Sequence, residues 1–177
     1  CTNFPLTITP DFINNNIYVA YIGSSATCGG QTINVKRFPN TLSITASASW
    51  SDTSFPQLTN EADIVFSLTS DQSDIYLFYV LDPDTTGLAW TKCTPSGGGD
   101  GNICDVAADW GAEKTLSAFV STTEEPGHPQ AIVSKAFGDA PSNGNPAAID
   151  VVYTNLLATA TLKYERHFVD MANMTEV

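Results

Sequence analysis

The chain has 177 residues, with 7 Lys plus Arg against 19 Asp plus Glu and a formal net charge of −12. A chain so poor in cations builds no basic patch, which excludes nucleic acid and anionic membranes as partners; no run approaches the roughly 18 apolar residues that would argue for membrane insertion. The length suits one domain over residues 1–177, long enough to bury about two-thirds of its unfolded surface.

The chain opens at Cys1 without an initiator Met, as a mature, secreted product stripped of its leader would. Residues 4–8, Phe-Pro-Leu-Thr-Ile, alternate as a first strand, which Pro5 would confine to a sheet edge. Asn14, Asn15 and Asn16 make a turn, and 17–22 is a second strand. Residues 23–30 form a small-residue loop around Cys28, and 32–38 a further strand. Residues 42–50 alternate strictly, with Leu42, Ile44, Ala46, Ala48 and Trp50 on one face and Ser or Thr on the other, as in a half-buried antiparallel strand. A polar loop is expected over 51–61.

Residues 63–69 alternate through Ile64, Phe66 and Leu68 and lead by a short link into Ile75, Tyr76, Leu77, Phe78, Tyr79, Val80 and Leu81. This uninterrupted apolar and aromatic run predicts a buried central strand, hairpin-paired to the one before it. Beyond it come a short strand over 88–92, a glycine-rich loop over 94–103, and one helical turn within 105–114. Strands follow over 115–120 and 131–137, separated by a loop over 122–129 that holds Pro126, His128 and Pro129. The last strands are 149–153 and 158–169. Leu162, Tyr164, Arg166 and Phe168 there alternate with Lys163, Glu165 and His167.

About ten short strands with almost no helix predict an all-β fold, a mostly antiparallel β-sandwich with a barrel as the alternative. Chain order favours two disulfides, Cys1–Cys28 and Cys93–Cys104, in an oxidising compartment. The competing use of Cys1 is as the acylated residue of a lipoprotein. No C-x-x-C pair supports zinc.

Asp82, Asp84 and Thr86, followed by Gly87, carry the 1-3-5 oxygen spacing with which a calcium loop begins. Cys93 occupies the position where such a loop has its bidentate Glu, and the same residues also make a turn with Pro83 at its second position. The run Gly97 to Gly101 has no P-loop Gly-Lys-Ser/Thr ending, and Asp100 at its centre would repel phosphate; a disulfide-capped loop in which Asp100 faces a ligand is the alternative use. Trp50, Trp90 and Trp110 suit core packing, with a flat platform for a sugar ring as the alternative use; Trp90, which follows the acidic turn, is the best candidate for that exposed role. His128 and His167 are the two histidines, and no G-x-S-x-G elbow provides a nucleophile for either. Asn173-Met174-Thr175 matches an N-glycosylation sequon.

These features favour a non-catalytic, secreted structural or interaction protein: adhesive, wall-associated or self-assembling, with an extracellular protein or polysaccharide as partner. The alternatives are a carbohydrate-binding module and a glycan-active hydrolase or lyase using a carboxylate pair. The final segment, with Met171, Met174 and Val177, is expected to dock on its own fold or to pair with a neighbouring subunit.

Overall fold

The computed structural model describes residues 6–11, 14–23, 32–39, 51–54, 66–70, 74–80, 88–95, 104, 107–116, 126–135, 146–155, 161–170 and 175–176. The described chain is all-β. Its strands are β1 (Leu6–Asp11), β2 (Asn16–Gly23), β3 (Thr32–Pro39), β4 (Ser51–Ser54), β5 (Phe66–Ser70), β6 (Ile75–Val80), β7 (Leu88–Cys93), β8 (Lys114–Leu116), β9 (Pro126–Lys135), β10 (Pro146–Asn155), β11 (Thr161–Asp170) and β12 (Thr175–Glu176). They form three four-stranded sheets, β1-β2-β3-β4, β5-β6-β7-β8 and β12-β11-β10-β9. In each, strands adjacent in sequence are adjacent in space, as short connections favour. Among the described residues the sheets are open, so the barrel alternative is set aside.

By packing, the chain divides into two compact units. The first contains residues 1–64, 68–77 and 91–112. Here β1 and β2 form a hairpin in register from Leu6↔Tyr21 to Asp11↔Asn16. The asparagine turn explains its closure. Asn15 takes φ 55°, a left-handed conformation that Asn tolerates better than most residues. The Asp11 carboxylate accepts hydrogen bonds from the Asn14 backbone N–H (3.2 Å), Asn14 Nδ2 (3.1 Å) and Asn16 Nδ2 (3.3 Å). Asp11 and Asn16 are buried, and these bonds satisfy polar groups that burial would otherwise penalise. Tyr18, Ala20, Ile33 and Val35 form the buried face of this sheet. Pro10 lies within β1, which among the described residues pairs only with β2, the edge position that tolerates proline within a sheet.

The second unit contains residues 65–67, 78–90 and 113–177. Its longest pairings join β10 to β11, from Pro146↔Asp170 to Asn155↔Thr161, and β10 to β9. Ile149, Val151 and Tyr153 of β10 and Ala131 of β9 supply its buried face. β12 pairs with β11 through Val169↔Glu176 and Asp170↔Thr175, so these two residues of the final segment join the chain's own sheet, while Met171, Met174 and Val177 lie outside the described residues.

The central-strand expectation is met: Ile75, Tyr76, Leu77, Phe78 and Tyr79 are all buried, on both faces of β6, which lies between β5 and β7. The helical turn within 105–114 is a 3-10 turn at Ala107–Asp109.

Two loop expectations are corrected. Ser51–Ser54, expected within a polar loop, is β4, registered on β3 from Arg37↔Ser51 to Asn34↔Ser54. A short polar strand carries no hydrophobic signature that would separate it from a loop. Residues 126–129, also expected as loop, begin β9. Gly127 opposes Thr154 and Gln130 opposes Val152, which leaves His128 and Pro129 together opposite Tyr153. That two-to-one step is a β-bulge on an edge strand, a place that accommodates proline within a sheet. The strand expected over 42–50 lies outside the described residues.

Candidate functional site

Of the residues singled out from the sequence, Trp90 takes the core role and not the alternative of a sugar platform. It is 1% exposed, and its ring stacks on Phe78 of the neighbouring strand, with centroids 6.1 Å apart and planes 15° from parallel. A tryptophan packed in this way is core and presents no platform to a sugar. Trp110 is buried too. Asp82, Asp84, Thr86 and Asp100 lie outside the described residues, as do Cys1 and Cys28.

Cys93 and Cys104 form the expected disulfide, with Cα atoms 5.9 Å apart and both residues buried. Beside it, Asp74 ties the start of β6 to the end of β7. Its carboxylate accepts from Tyr76 Oη (3.1 Å) and from the Thr94 hydroxyl, and Lys92 Nζ lies 3.7 Å away. The segment after Cys104 is fastened to β7 by Gly111 N–H to Lys92 O (2.8 Å) and by the Thr91 hydroxyl to Gly111 O (2.7 Å). This arrangement anchors the cross-linked loop. Its acid is engaged by Tyr76, Thr94 and Lys92 and ties their strands together. Among the described residues no group of three His, Cys, Asp or Glu side chains converges as a metal site.

The arrangement that presents chemistry to solvent is the outer face of β9, β10 and β11. Facing residues in an antiparallel ladder share one side of the sheet. The register therefore brings Ile132, Asp150 and Arg166 into one row and Gln130, Val152 and Tyr164 into the next, with Leu162 beyond them on the same side of β11. Leu162 is 75% exposed, Ile132 and Tyr164 each 59%, and Val152 36%. Four large apolar side chains thus stand in solvent around one ionic pair.

That pair is cross-strand and two-pronged. Arg166 Nε donates to Asp150 Oδ1 at 2.6 Å and Nη2 to Oδ2 at 3.1 Å. The Tyr164 hydroxyl reaches diagonally to Asp150 Oδ1 at 2.6 Å. Asp150 is buried beneath its donors, while the Arg166 side chain remains 51% exposed. The face therefore shows a guanidinium and a phenol ring to solvent with the carboxylate underneath. The hydrogen bond to Asp150, then partial burial, raises the Tyr164 phenol above its ordinary range; the bond to Asp150 and its charge likewise raise Arg166. Both groups keep their neutral and cationic forms, respectively, throughout the physiological range.

The inner face of the same strands repeats the device. Tyr153, buried, donates diagonally to Glu165 Oε1 at 2.7 Å. Elsewhere in this unit Tyr79 donates to Glu113 Oε2 at 2.7 Å. Several of the acids in this chain thus satisfy tyrosine hydroxyls. For Tyr79, burial first and the Glu113 bond and charge second push the phenol far above its ordinary value. The unfolded chain ionises this tyrosine near pH 10, whereas the folded chain keeps it neutral. Its contribution to stability is complete below about pH 10 and is lost as pH rises further. Alkaline titration should show Tyr79 ionising only as the fold melts, and Tyr79→Phe should flatten this part of the stability profile. Phenolate absorbance and circular dichroism, followed together, check it; an ordinary Tyr79 titration in a folded chain would contradict it.

Sequence reasoning placed Leu162, Tyr164 and Arg166 on one side of a strand but missed Asp150. The available signal was an acid between Ile149 and Val151 in an otherwise apolar run, since a buried carboxylate requires donors. No family model matches this chain, and no curated protein or solved structure matches it.

Proposed function

We propose that this protein is a non-catalytic interaction module of the cell exterior, and that its contact surface is the outer face of β9, β10 and β11. The observation that carries the reading is the exposure, in register on one sheet face, of Ile132, Val152, Leu162 and Tyr164 around Arg166. Apolar side chains grouped this way mark interaction surfaces on soluble proteins. Tyrosine and arginine are enriched among the residues that dominate binding energy. The aliphatic character of the face favours a protein partner over a polysaccharide, which would stack on flat aromatic rings. The carbohydrate-binding alternative loses support with Trp90 and Trp110 in the core.

The extracellular setting is supported by the Cys93–Cys104 bond, because disulfides persist in oxidising compartments. A sandwich arrangement of the sheets and a second bond between Cys1 and Cys28 belong to this proposal as well; it needs no cofactor, with calcium at Asp82, Asp84 and Thr86 as the alternative to a plain turn there.

The test compares the folded wild type with Leu162→Glu and Arg166→Gln for binding to extracellular proteins and polysaccharides offered as separate arrays. Protein binding that falls at least tenfold in either variant is the expected result. Binding indifferent to both substitutions, or sugar released from the polysaccharides, would overturn the reading.

A further inference from the structure

We infer that the partner of this face is a second copy of the chain, docked face to face about a twofold axis. The inference rests on the reading of the face as a contact surface and names its occupant.

Charge is the first argument. Two copies at −12 each repel one another over most approaches. On this face the formal charges of Arg166 and Asp150 cancel, with the cation outward and the carboxylate buried. A copy meeting a copy here brings no unpaired like charges together at the centre of the contact.

Self-complementarity is the second. A twofold contact uses the same patch on both partners, so each group must find its match within the patch itself. Arg166 spends Nε and Nη2 on Asp150, which fixes the guanidinium plane and leaves its face available to a ring. The exposed Tyr164 of the other copy supplies that ring, a cation–π pair made twice by symmetry. Leu162, Ile132 and Val152 then cover one another.

Area is the third. With the exposures given above, Ile132, Val152, Leu162, Tyr164 and Arg166 offer on the order of 600 Å² per copy, somewhat below the roughly 800 Å² per partner of a standard specific interface. The contact falls in the range of a reversible dimer.

Sedimentation equilibrium of the full chain over a concentration series, at low and moderate NaCl, tests this. The wild type should form a dimer whose fraction rises with salt, because screening weakens the repulsion between two acidic chains. Leu162→Glu on β11 and Ile132→Glu on β9 should each raise the dimer dissociation constant at least tenfold with circular dichroism unchanged. The two lie on different strands, so one remains informative if the other fails to fold. A wild type that stays monomeric at every concentration and salt overturns the second-copy assignment, as does a dimer that both folded variants leave intact. A self-association that weakens with salt also overturns the face-to-face docking, because it would be held by opposite charges meeting across another contact. If the wild type is monomeric but its binding to a different protein is lost in Leu162→Glu, only the identity of the partner falls. If that binding ignores the substitution as well, the contact surface falls with it.

Discussion

Replacing both Cys93 and Cys104 by Ala should lower stability by about 2 kcal/mol, a fall in melting temperature of roughly 4–8 °C for a chain of this size. The cross-link closes a loop with a sequence separation of 11. On a chain-entropy estimate a loop of that order restrains the unfolded state by about 3 kcal/mol. Against this stands Cys104, which holds φ at 58°, a left-handed conformation that costs a non-glycine residue about 1 kcal/mol and that the reduced chain can relax. The net remains destabilising because β7 loses its covalent tie to the segment that carries the 3-10 turn. Differential scanning calorimetry of the double variant against the wild type measures it. An unchanged melting temperature would mean that the hydrogen bonds at Gly111 and Thr91 hold this segment unaided.

Trp90→Ala should cost about 3–5 kcal/mol, the usual range for deleting a large aromatic side chain from a core. Trp90 is 1% exposed and stacked on Phe78, so truncation removes both the buried area and the ring contact and opens a cavity beside the central strand. Trp90→Phe should lose much less, since it restores part of the volume. Chemical denaturation of the two variants decides the matter. A surface tryptophan would change stability by no more than about 0.5 kcal/mol when truncated; a Trp90→Ala chain that stable would return Trp90 to the surface and revive the sugar platform.

How much was legible in the sequence depended on whether a segment's pattern had one meaning. Residues 75–81 are apolar without interruption, and only a strand covered on both faces accommodates that, so β6 was readable from composition. The asparagine turn was readable because Asn15 tolerates the left-handed backbone that closes the hairpin. β4 was not, because Ser, Asp and Thr suit an exposed edge and a loop equally well. Pro126 and Pro129 argued against a strand because proline donates no ladder bond, and the argument failed at an edge with a bulge, where none is required of it. For β11 the alternation of Leu162, Tyr164 and Arg166 with Lys163 and Glu165 separated two faces correctly. It did not say which is wet. The usual assignment buries the leucine, and the chain instead leaves Leu162 75% exposed, with Lys163 and Glu165 on the side that faces Ile149, Val151 and Tyr153. The Asp150–Tyr164–Arg166 cluster depended on the register of two strands, which no single segment encodes.

Hydroxyl-radical footprinting read by peptide mass spectrometry, at dilute and at concentrated protein, tests the central claim most directly. Leu162 is 75% and Tyr164 59% exposed, whereas Tyr18, Tyr76, Tyr79 and Tyr153 are buried. Leu162 and Tyr164 should be oxidised readily in dilute protein and become protected as concentration rises, while the four buried rings stay unmodified at both. A Leu162 and Tyr164 that resist oxidation at every dilution would show that the face is not open to solvent. Equal oxidation at both concentrations, in protein that sedimentation shows to be associated, would show that the contact forms elsewhere.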